Sequence, residues 1–423
     1  MITVAIAGAG QRGYSVYAKY AAAMPERAKI VAVADTDPEK VERCAKEFNI
    51  PAEGCFSSVE DMLAAGKLAD VMFICTQDQQ HVSNAIPALK LGYDILLEKP
   101  VSPDAQECRE LLHTARECGR KVAVCHVLRY SPFYRKIKEV IDSGVLGKLW
   151  SIQSIENVCY WHQAHSFVRG NWRDSNTTSP MFLAKCCHDM DLMVWLTGQR
   201  CKRVSSFGSL SHFTSDHAPE GAAKRCLDGC AVKESCPYDA EKIYITDKAT
   251  GVRHNLVGAA AKPMVMDLTE ESVREAIRTG PYGRCVYFCD NNVVDHQTVN
   301  LEMEDGTTVS FLMCGFTAFG GRNTRYMGTH GSMVADLEAG ILEVTPFGQE
   351  TTTYHFQFAQ NGMVGHGGGD ELLLGQFFDY IEGKQPDGIT SLEASLESHF
   401  ISMAAEESRV HGGKVIDIEL YRV

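Results

Sequence analysis

Residues 2–13 decide the fold, and they read Ile-Thr-Val-Ala-Ile-Ala-Gly-Ala-Gly-Gln-Arg-Gly. The apolar run at 2–7 predicts a short strand, and a helical pattern follows at 15–23. Between them, the spacing Gly-x-Gly-x-x-Gly allows a tight turn and the close approach of a pyrophosphate to the helix N-terminus. The motif therefore predicts a dinucleotide-binding loop, whose cofactor contacts are Gly8, Gly10, Gln11, Arg12 and Gly13.

Strand and helix patterns alternate outward from this loop up to residue 125. Further strands are predicted at 30–34, 71–75, 95–97 and 121–125, with helices at 38–48, 82–91 and 103–118. Such alternation builds a parallel sheet that helices cover on both faces. Residues 1–125 are therefore predicted to form an α/β Rossmann nucleotide-binding domain.

The pattern changes after residue 126. An extended stretch at 149–158, a hairpin at 299–313 around Glu304-Asp305-Gly306 and short strands at 325–345 indicate antiparallel pairing. Helices are predicted near 370–381 and at 392–410, with Gly412 as a stop. Residues 126–423 are therefore predicted to form an α+β domain with an open, mainly antiparallel sheet. An insertion near 213–282, with few clear periods after Cys226, interrupts this domain.

Length and composition fit a two-domain globular enzyme. The chain has 423 residues, 45 % of them hydrophobic and 22 % charged, and a formal net charge of −13. That charge argues against nucleic acids and anionic membranes as partners. The N-terminus has no signal-peptide pattern, no apolar run is long enough to span a bilayer, and sixteen cysteines fit a reducing compartment. We therefore expect a cytoplasmic protein with a small-molecule substrate.

Cofactor choice is predicted from Asp35, which ends the second strand. A carboxylate there accepts hydrogen bonds from the adenosine ribose hydroxyls and repels a 2′-phosphate. Thr36 and Asp37 follow without a neighbouring arginine, which favours NAD over NADP. NADP remains an alternative, because Arg12 lies in the glycine loop and can reach a phosphate.

Two further motifs carry a family resemblance. Residues 76–81 read Thr-Gln-Asp-Gln-Gln-His, and Glu98-Lys99-Pro100 follows the fourth strand. With the glycine motif and the phrase at 126–130, the chain resembles the glucose–fructose oxidoreductase / inositol dehydrogenase / MocA (Gfo/Idh/MocA) family. The resemblance implies sugars, inositols or related polyols as substrates, and a homodimer or homotetramer. It also implies that residues 126–423 form the substrate-binding and oligomerisation domain. It also implies cofactor contacts at Thr76, His81, Glu98 and Lys99.

The resemblance further implies a proton-transfer pair. Lys99 matches the family's lysine near the nicotinamide, and a lysine partly removed from water suits proton transfer. The helix predicted at 181–196 carries His188 and Asp191 in the family spacing, with Ser179 as its cap. Many polyol dehydrogenases of the family carry aspartate four residues before the histidine, where this chain has Ala184. Either the adjacent Lys185 takes part of that role, or the proton relay is rebuilt.

Substrate contacts are predicted after the first long strand. Aromatic and polar residues interleave there, which suits a sugar's apolar face and its hydroxyls, although an ordinary loop with interface aromatics reads the same way. The predicted substrate-binding residues are Arg129, Trp161, His162, His165, Arg169, Trp172 and Asp191.

A group of cysteines in the insertion suggests a structural metal. Cys226, Cys230 and Cys236 are spaced Cys-x3-Cys-x5-Cys, and Cys289 is the candidate fourth ligand. Four thiolates suit tetrahedral zinc, while buried free thiols or a disulfide are the alternatives.

Three functions remain open from the sequence. The preferred one is an NAD-dependent dehydrogenase that transfers a hydride from a hydroxyl-bearing carbon of a sugar, polyol or glycoside. The second is a glycosidase or lyase that retains NAD and acts through a transient keto-sugar. The third is a nucleotide-sensing regulator without catalysis, against which Lys99 and His188 speak.

Overall fold

The computed structural model describes residues 1–256, 258–357 and 365–423. Its first sheet has six parallel strands in the order β3-β2-β1-β4-β5-β6, which is the Rossmann order. The strands are β1 Ile2–Ala7, β2 Ala28–Ala34, β3 Cys55–Phe56, β4 Val71–Ile74, β5 Asp94–Leu97 and β6 Val122–Val124. The helices are α1 Lys19–Ala22, α2 Pro38–Phe48, α3 Val59–Ala64, α4 His81–Lys90 and α5 Ala105–Glu117, and a π-helical segment, Gly13–Ala18, leads into α1. The predicted nucleotide-binding fold is confirmed.

The second sheet has nine strands in the order β14-β13-β12-β11-β7-β10-β9-β8-β15. Its strands are β7 Leu149–Asn157, β8 Cys201–Ser209, β9 His296–Met303, β10 Thr308–Cys314, β11 Gly321–Gly328, β12 Gly331–Asp336, β13 Ile341–Pro346, β14 Thr352–His355 and β15 Ile416–Asp417. The helices are α6 Pro132–Asp142, α7 Tyr160–His162, α8 Met181–Thr197, α9 Glu270–Thr279, α10 Gly369–Ile381, α11 Leu392–Val410 and α12 Glu419–Arg422. Only the pair β7–β10 is parallel among the described strands of this sheet, so the predicted mainly antiparallel sheet is confirmed.

The hairpin β9–β10 forms as its sequence predicts. Leu301 pairs with Val309, and the turn between the strands contains Gly306 at a φ of 88°. Only glycine adopts that conformation at little cost. Val299, Leu301, Val309 and Phe311 alternate inward and are buried, which joins this hairpin to the main core.

The insertion forms a small hydrophobic core of its own. Phe213, Tyr244, Val273 and Ile277 are among its buried members. The helix α9 within it is absent from the sequence prediction. It is short and places only two apolar residues, Val273 and Ile277, on its buried face, although that face is well separated from the charged one and Thr269 forms a capping box.

Helix α10 lies in space with the first sheet, although it comes late in the chain. The ring centroids of Phe377 and Phe73 are 6.0 Å apart, and Arg27 pairs with Asp379 over 2.8 Å. Residues from both ends of the sequence therefore complete the core of the nucleotide-binding half. In the described part of the chain, no helix is long and apolar enough to cross a membrane.

Candidate active site

The glycine loop leaves room for a pyrophosphate at one position only. A Cβ on Gly8, whose φ is 93°, would lie 2.6 Å from the main-chain oxygen of Cys75, and one on Gly13 would lie 2.0 Å from the oxygen of Gly8. A Cβ on Gly10 would meet no atom within 4 Å. Gly8 and Gly13 thus allow the tight turn, and the space over Gly10 is where a bound phosphate approaches the main chain. Gln11 is exposed beside this space.

Asp35 is held at the end of β2 by main-chain donors. Ala9 N–H donates to one of its carboxylate oxygens over 2.8 Å, and Asp37 N–H donates to the other over 2.9 Å. The ammonium of Lys40 lies 3.8 Å from Asp35, on the first turn of α2. Lys40 is not part of the sequence prediction, which considers only the residues directly after Asp35. The region around Asp35 is therefore less anionic than the sequence suggested.

Arg12 is engaged by carboxylates. Its guanidinium donates to Glu98 over 2.6 Å and to Asp370 of α10 over 2.7 Å, and it also contacts the Tyr17 hydroxyl. Burial alone would raise the pKa of Glu98, but the charges of Arg12 and Lys99 hold it below the ordinary value. Arg12 thus holds the glycine loop against the end of β5 and against α10, and these contacts engage its Nε and Nη2 donors.

The segment after β4 is tied to the segment after β5. The two ring nitrogens of buried His81 lie 2.7 Å from Pro100 O and 3.1 Å from Thr76 O. Asn84 donates to the Thr76 hydroxyl over 3.1 Å. His81 therefore positions the loop that carries Lys99, because both of its nitrogens already face main-chain oxygens.

Lys99 reaches from the first domain to helix α8. Its ammonium donates to the main-chain oxygen of Ala184 over 2.7 Å. His188 lies one helical turn further along α8 and is buried. Lys99 therefore contacts the helix that carries His188, and it does so through the main-chain oxygen of Ala184, whose side chain has no oxygen.

Two further histidines lie behind His188. The rings of His126 and His188 are 5.5 Å apart, as are those of His126 and His399. Burial lowers the pKa of His126 well below its ordinary value, and the charges of Arg129 and Lys99 lower it further. Burial, with His126 beside it, lowers the pKa of His399 to about 3. Neutral imidazoles therefore back the site, a feature that the sequence interpretation did not assign.

Lys185 belongs to a buried ionic chain. Its ammonium lies 3.1 Å from Glu156 of β7, and Arg322 of β11 lies 3.0 Å from the other oxygen of Glu156. Arg322 also donates to Asp189 over 2.7 and 3.0 Å. Lys185 is therefore fixed by the sheet beneath α8. These ion pairs could not be predicted from the sequence, because their members come from three distant segments.

Arg129 and Asp191, both predicted to bind substrate, bind each other. The guanidinium donates twice to the carboxylate, each time over 2.6 Å, and both side chains are buried. Burial raises the pKa of Asp191, which the Arg129 charge opposes. The pair anchors the helix that carries His188.

The predicted substrate-binding loop divides between two environments. His162 stacks on Trp161 with ring centroids 5.5 Å apart. Burial, then the charges of Lys185, His165 and Lys99, lowers the pKa of His162 well below its ordinary value, which places its ring near both lysines. His165 instead stacks on Tyr282 of the insertion, 4.8 Å between centroids. His162, stacked on Trp161, therefore lies on the side of this loop near Lys99 and Lys185, whereas His165 packs against the insertion.

Arg169 and Trp172 also differ from their predicted placement. Arg169 is completely buried in the insertion, where it donates to Arg284 O and Tyr238 O over 2.7 Å each. The Trp172 indole N–H donates to Asp78 over 3.2 Å, and Ser179 donates to the same carboxylate over 2.8 Å. Ser179 therefore joins the two domains instead of capping α8, whose N-cap is Pro180.

The cysteines of the insertion assemble with a different fourth member. Cys226, Cys230, Cys236 and Cys285 line one small cavity together with Arg169. The Cys289 thiol instead donates to the main-chain oxygen of Cys285 over 3.3 Å. As the described side chains are placed, no three Cys, His, Asp or Glu groups are arranged to hold a metal ion. Of the predicted four, Cys289 therefore lies outside the lining of this cavity, and Cys285 lines it with the other three.

The glycine loop and Lys99 thus lie at the carboxyl edge of a Rossmann sheet, which is where open parallel sheets of this kind bind nucleotides. Residues 2–126 match the GFO_IDH_MocA model, described as an oxidoreductase family with an NAD-binding Rossmann fold. Residues 134–225 match the GFO/IDH/MocA C-terminal domain. The chain belongs to the Gfo/Idh/MocA oxidoreductase family.

Relatives include the Bacillus subtilis (strain 168) protein named "Putative oxidoreductase YteT", 26 % identical over 96 % of this chain and 95 % of that protein. An inositol 2-dehydrogenase of Corynebacterium glutamicum (strain R) is 27 % identical over 40 % of this chain and 47 % of its own length. Scyllo-inositol dehydrogenase from Lactobacillus casei, solved with NAD(H) and scyllo-inositol, shares the fold with a TM-score of 0.67 at 17 % identity, over 99 % of each chain.

Proposed function

We propose that the chain is a dehydrogenase that oxidises a hydroxyl-bearing carbon of a sugar, polyol or glycoside and uses NAD. The observation that carries the proposal is the contact between Lys99 and Ala184, which sets the ammonium one helical turn from His188. A regulator that only senses a nucleotide has no need of this pair. Relatives named for oxidising inositol and glucosides support the substrate class.

Oxidation of an alcohol removes a proton from oxygen and a hydride from the attached carbon. NAD, when bound, accepts the hydride. Lys99 and His188 are the groups proposed to handle the hydroxyl proton, and a positioned group of this kind typically contributes about a hundred- to ten-thousand-fold in rate. Lys185, held by Glu156, and the stacked pair Trp161–His162 are proposed to orient the substrate.

NAD is proposed as the cofactor in preference to NADP. The residues fit it, because the loop over Gly10 is open and Asp35 is fixed where the adenosine ribose binds in this fold. Lys40 moderates the preference, since its ammonium offsets part of the carboxylate charge that would repel a 2′-phosphate. We therefore expect a measurable preference for NAD and detectable binding of NADP.

The test is a screen of polyols, free sugars and glycosides with NAD or NADP, monitored at the nicotinamide absorbance. Net formation of NADH with at least one of these classes supports the proposal. Steady product formation with only a trace of NAD would instead support the NAD-retaining glycosidase or lyase. No turnover of any class, with NAD altering the binding of a partner, would support the regulator.

Assembly as a homodimer or homotetramer remains a prediction. Helices α8 and α11 contact one face of the second sheet through Phe182 and Ser408, while Met327 and Val334 are exposed apolar residues of the strands β11 and β12. Light scattering of the purified protein measures the number of subunits.

A further inference from the structure

Two separate segments of the insertion are joined by main-chain hydrogen bonds at the thiol cavity. Cys226 N–H donates to Gly283 O over 3.0 Å, and Cys285 N–H donates to Lys224 O over 2.9 Å. Between them Arg225 and Arg284 form an antiparallel bridge. This short ladder brings Cys226 and Cys285 to the same cavity across about sixty positions of sequence, and the loop that follows Cys226 adds Cys230 and Cys236.

The cavity also contains a buried positive charge without a carboxylate partner. Arg169 is completely buried, its Nη2 lies 3.6 Å from the Cys226 sulfur, and its Nη1 has no hydrogen-bond partner. No carboxylate lies within ion-pair distance of Arg169 among the described residues. Asp239 lines the same cavity and its carboxylate accepts a hydrogen bond from Lys242 N–H, but it forms no ion pair with Arg169 within 4 Å. A buried guanidinium needs a compensating negative charge, and the four neighbouring thiols can supply it as thiolates.

We propose that Cys226, Cys230, Cys236 and Cys285 bind one zinc ion as thiolates, with Arg169 as the charge partner of the site. Each thiol releases its proton to solvent on binding, and four thiolates with Zn²⁺ carry a net charge of about −2, which the guanidinium reduces to about −1. The cavity is small, with a volume of about 10 Å³. That space suits a single ion rather than a multinuclear cluster, and binding turns the four side chains into it.

The proposed ion would join the loop after Cys226 to the segment that holds Cys285. Arg169, at the end of the π-helical segment Gln163–Arg169, touches both. His162 immediately precedes this segment and lies near Lys99 and Lys185. Zinc would therefore act as a structural centre that fixes the base of the substrate-facing loop, and its presence is measurable without any assay of activity.

The experiment measures zinc in the full chain, purified under reducing conditions and without chelator, by inductively coupled plasma mass spectrometry. About one zinc per chain is expected. Cobalt added to metal-free, reduced protein should give the intense near-ultraviolet bands of thiolate-to-metal charge transfer. Absence of stoichiometric zinc, together with no cobalt bands, would overturn the proposal, as would mass-spectrometric proof of disulfides among the four cysteines.

A matched pair of variants decides the fourth ligand. Cys285→Ser should keep less than about a tenth of the zinc after dialysis and should melt at a lower temperature, because metal binding is part of the folding free energy. Cys289→Ser, four residues away, should keep the metal. If Cys285→Ser fails to fold, Cys230→Ser takes its place in the test. Its position is less buried, and it should show the same loss of metal. Retention of zinc in Cys230→Ser, or its loss in Cys289→Ser alone, would contradict the assigned ligand set.

Discussion

The ammonium of Lys99 donates to the main-chain oxygen of Ala184 over 2.7 Å, so the first turn of α8 holds the lysine that follows β5. Many polyol dehydrogenases that the chain resembles carry an aspartate at the position of Ala184. Here the main chain retains the contact, but a carbonyl oxygen cannot take up a proton as a carboxylate can. The lysine is therefore oriented without an acidic partner at that position, and the proposed proton transfer would depend more on His188.

Lys99→Met should fold, bind NAD and lose about a hundred- to ten-thousand-fold in turnover, the usual cost of a positioned proton-transfer group. Methionine keeps the apolar stem and removes only the ammonium. Single-turnover reduction of the nicotinamide measures the step. Lys90→Met, on the exposed face of α4, is the control and should keep full activity. Near-native hydride transfer in Lys99→Met would remove the lysine from the mechanism.

His188→Asn should also impair turnover, and the double variant with Lys99→Met should lose less than the two single losses combined. Groups of one proton relay act as a unit, so the second removal costs less than the first. The measurement is the same single-turnover reaction in all three variants. Strict additivity would show that the two residues act in separate steps.

Asp35→Ala should narrow the preference for NAD over NADP, because it removes the acceptor for the ribose hydroxyls and the charge that opposes a 2′-phosphate. Asp35→Asn is the informative companion. It keeps an oxygen for Ala9 N–H or Asp37 N–H, which the alanine variant leaves without a partner. Calorimetric titration with both cofactors measures the ratio. Tighter binding of NADP to the unaltered protein would contradict the proposed cofactor.

Asp191→Asn should lower stability rather than only the affinity for substrate. It leaves the buried Arg129 guanidinium without its charge partner, and loss of one member of a buried pair typically costs about 3–5 kcal/mol. The melting temperature measures the effect. Glu117→Gln, which disrupts an exposed pair with His113, is the control and should change it little. An unchanged melting temperature in Asp191→Asn would return Asp191 to the substrate-binding residues.

Stability should fall as the pH drops below about 6.5, the ordinary pKa of histidine. Burial lowers the pKa of His165 to about 4 and that of His399 to about 3. Between those values and pH 6.5, each histidine is protonated in the unfolded chain but neutral in the native state. The free energy of unfolding therefore falls by about 1.4 kcal/mol for each pH unit of decrease and for each histidine. The stability that the two neutral histidines contribute is fully present above pH 6.5 and is lost as the pH falls toward their pKa values in the native state. Melting temperatures from pH 7.5 to 4.5 should show a shallower decline in His399→Gln than in the exposed-site control His113→Gln.

Local patterns predicted the fold well because they are set by neighbours in sequence. The burial of β1, the turn at Gly306 and the length of α11 each follow from a short stretch of residues. The pairing of Lys185 with Glu156, or of Arg129 with Asp191, depends on segments that meet only after folding. For the same reason the sequence does not distinguish Cys285 from Cys289 as the fourth thiol. Spacing along the chain does not reveal which of them the ladder at Arg225 and Arg284 brings to the cavity.

The position of α10 has a consequence for how the protein is made. Its Phe377 packs on Phe73, and its Asp370 pairs with Arg12, so the nucleotide-binding half lacks part of its core until residues near 380 have been synthesised. During translation, the first 125 residues would leave the ribosome with an apolar face uncovered for as long as the rest of the chain takes to follow. An isolated N-terminal fragment should therefore aggregate or bind chaperones, and a stop codon before residue 369 should abolish a soluble product even though every glycine-loop residue is present.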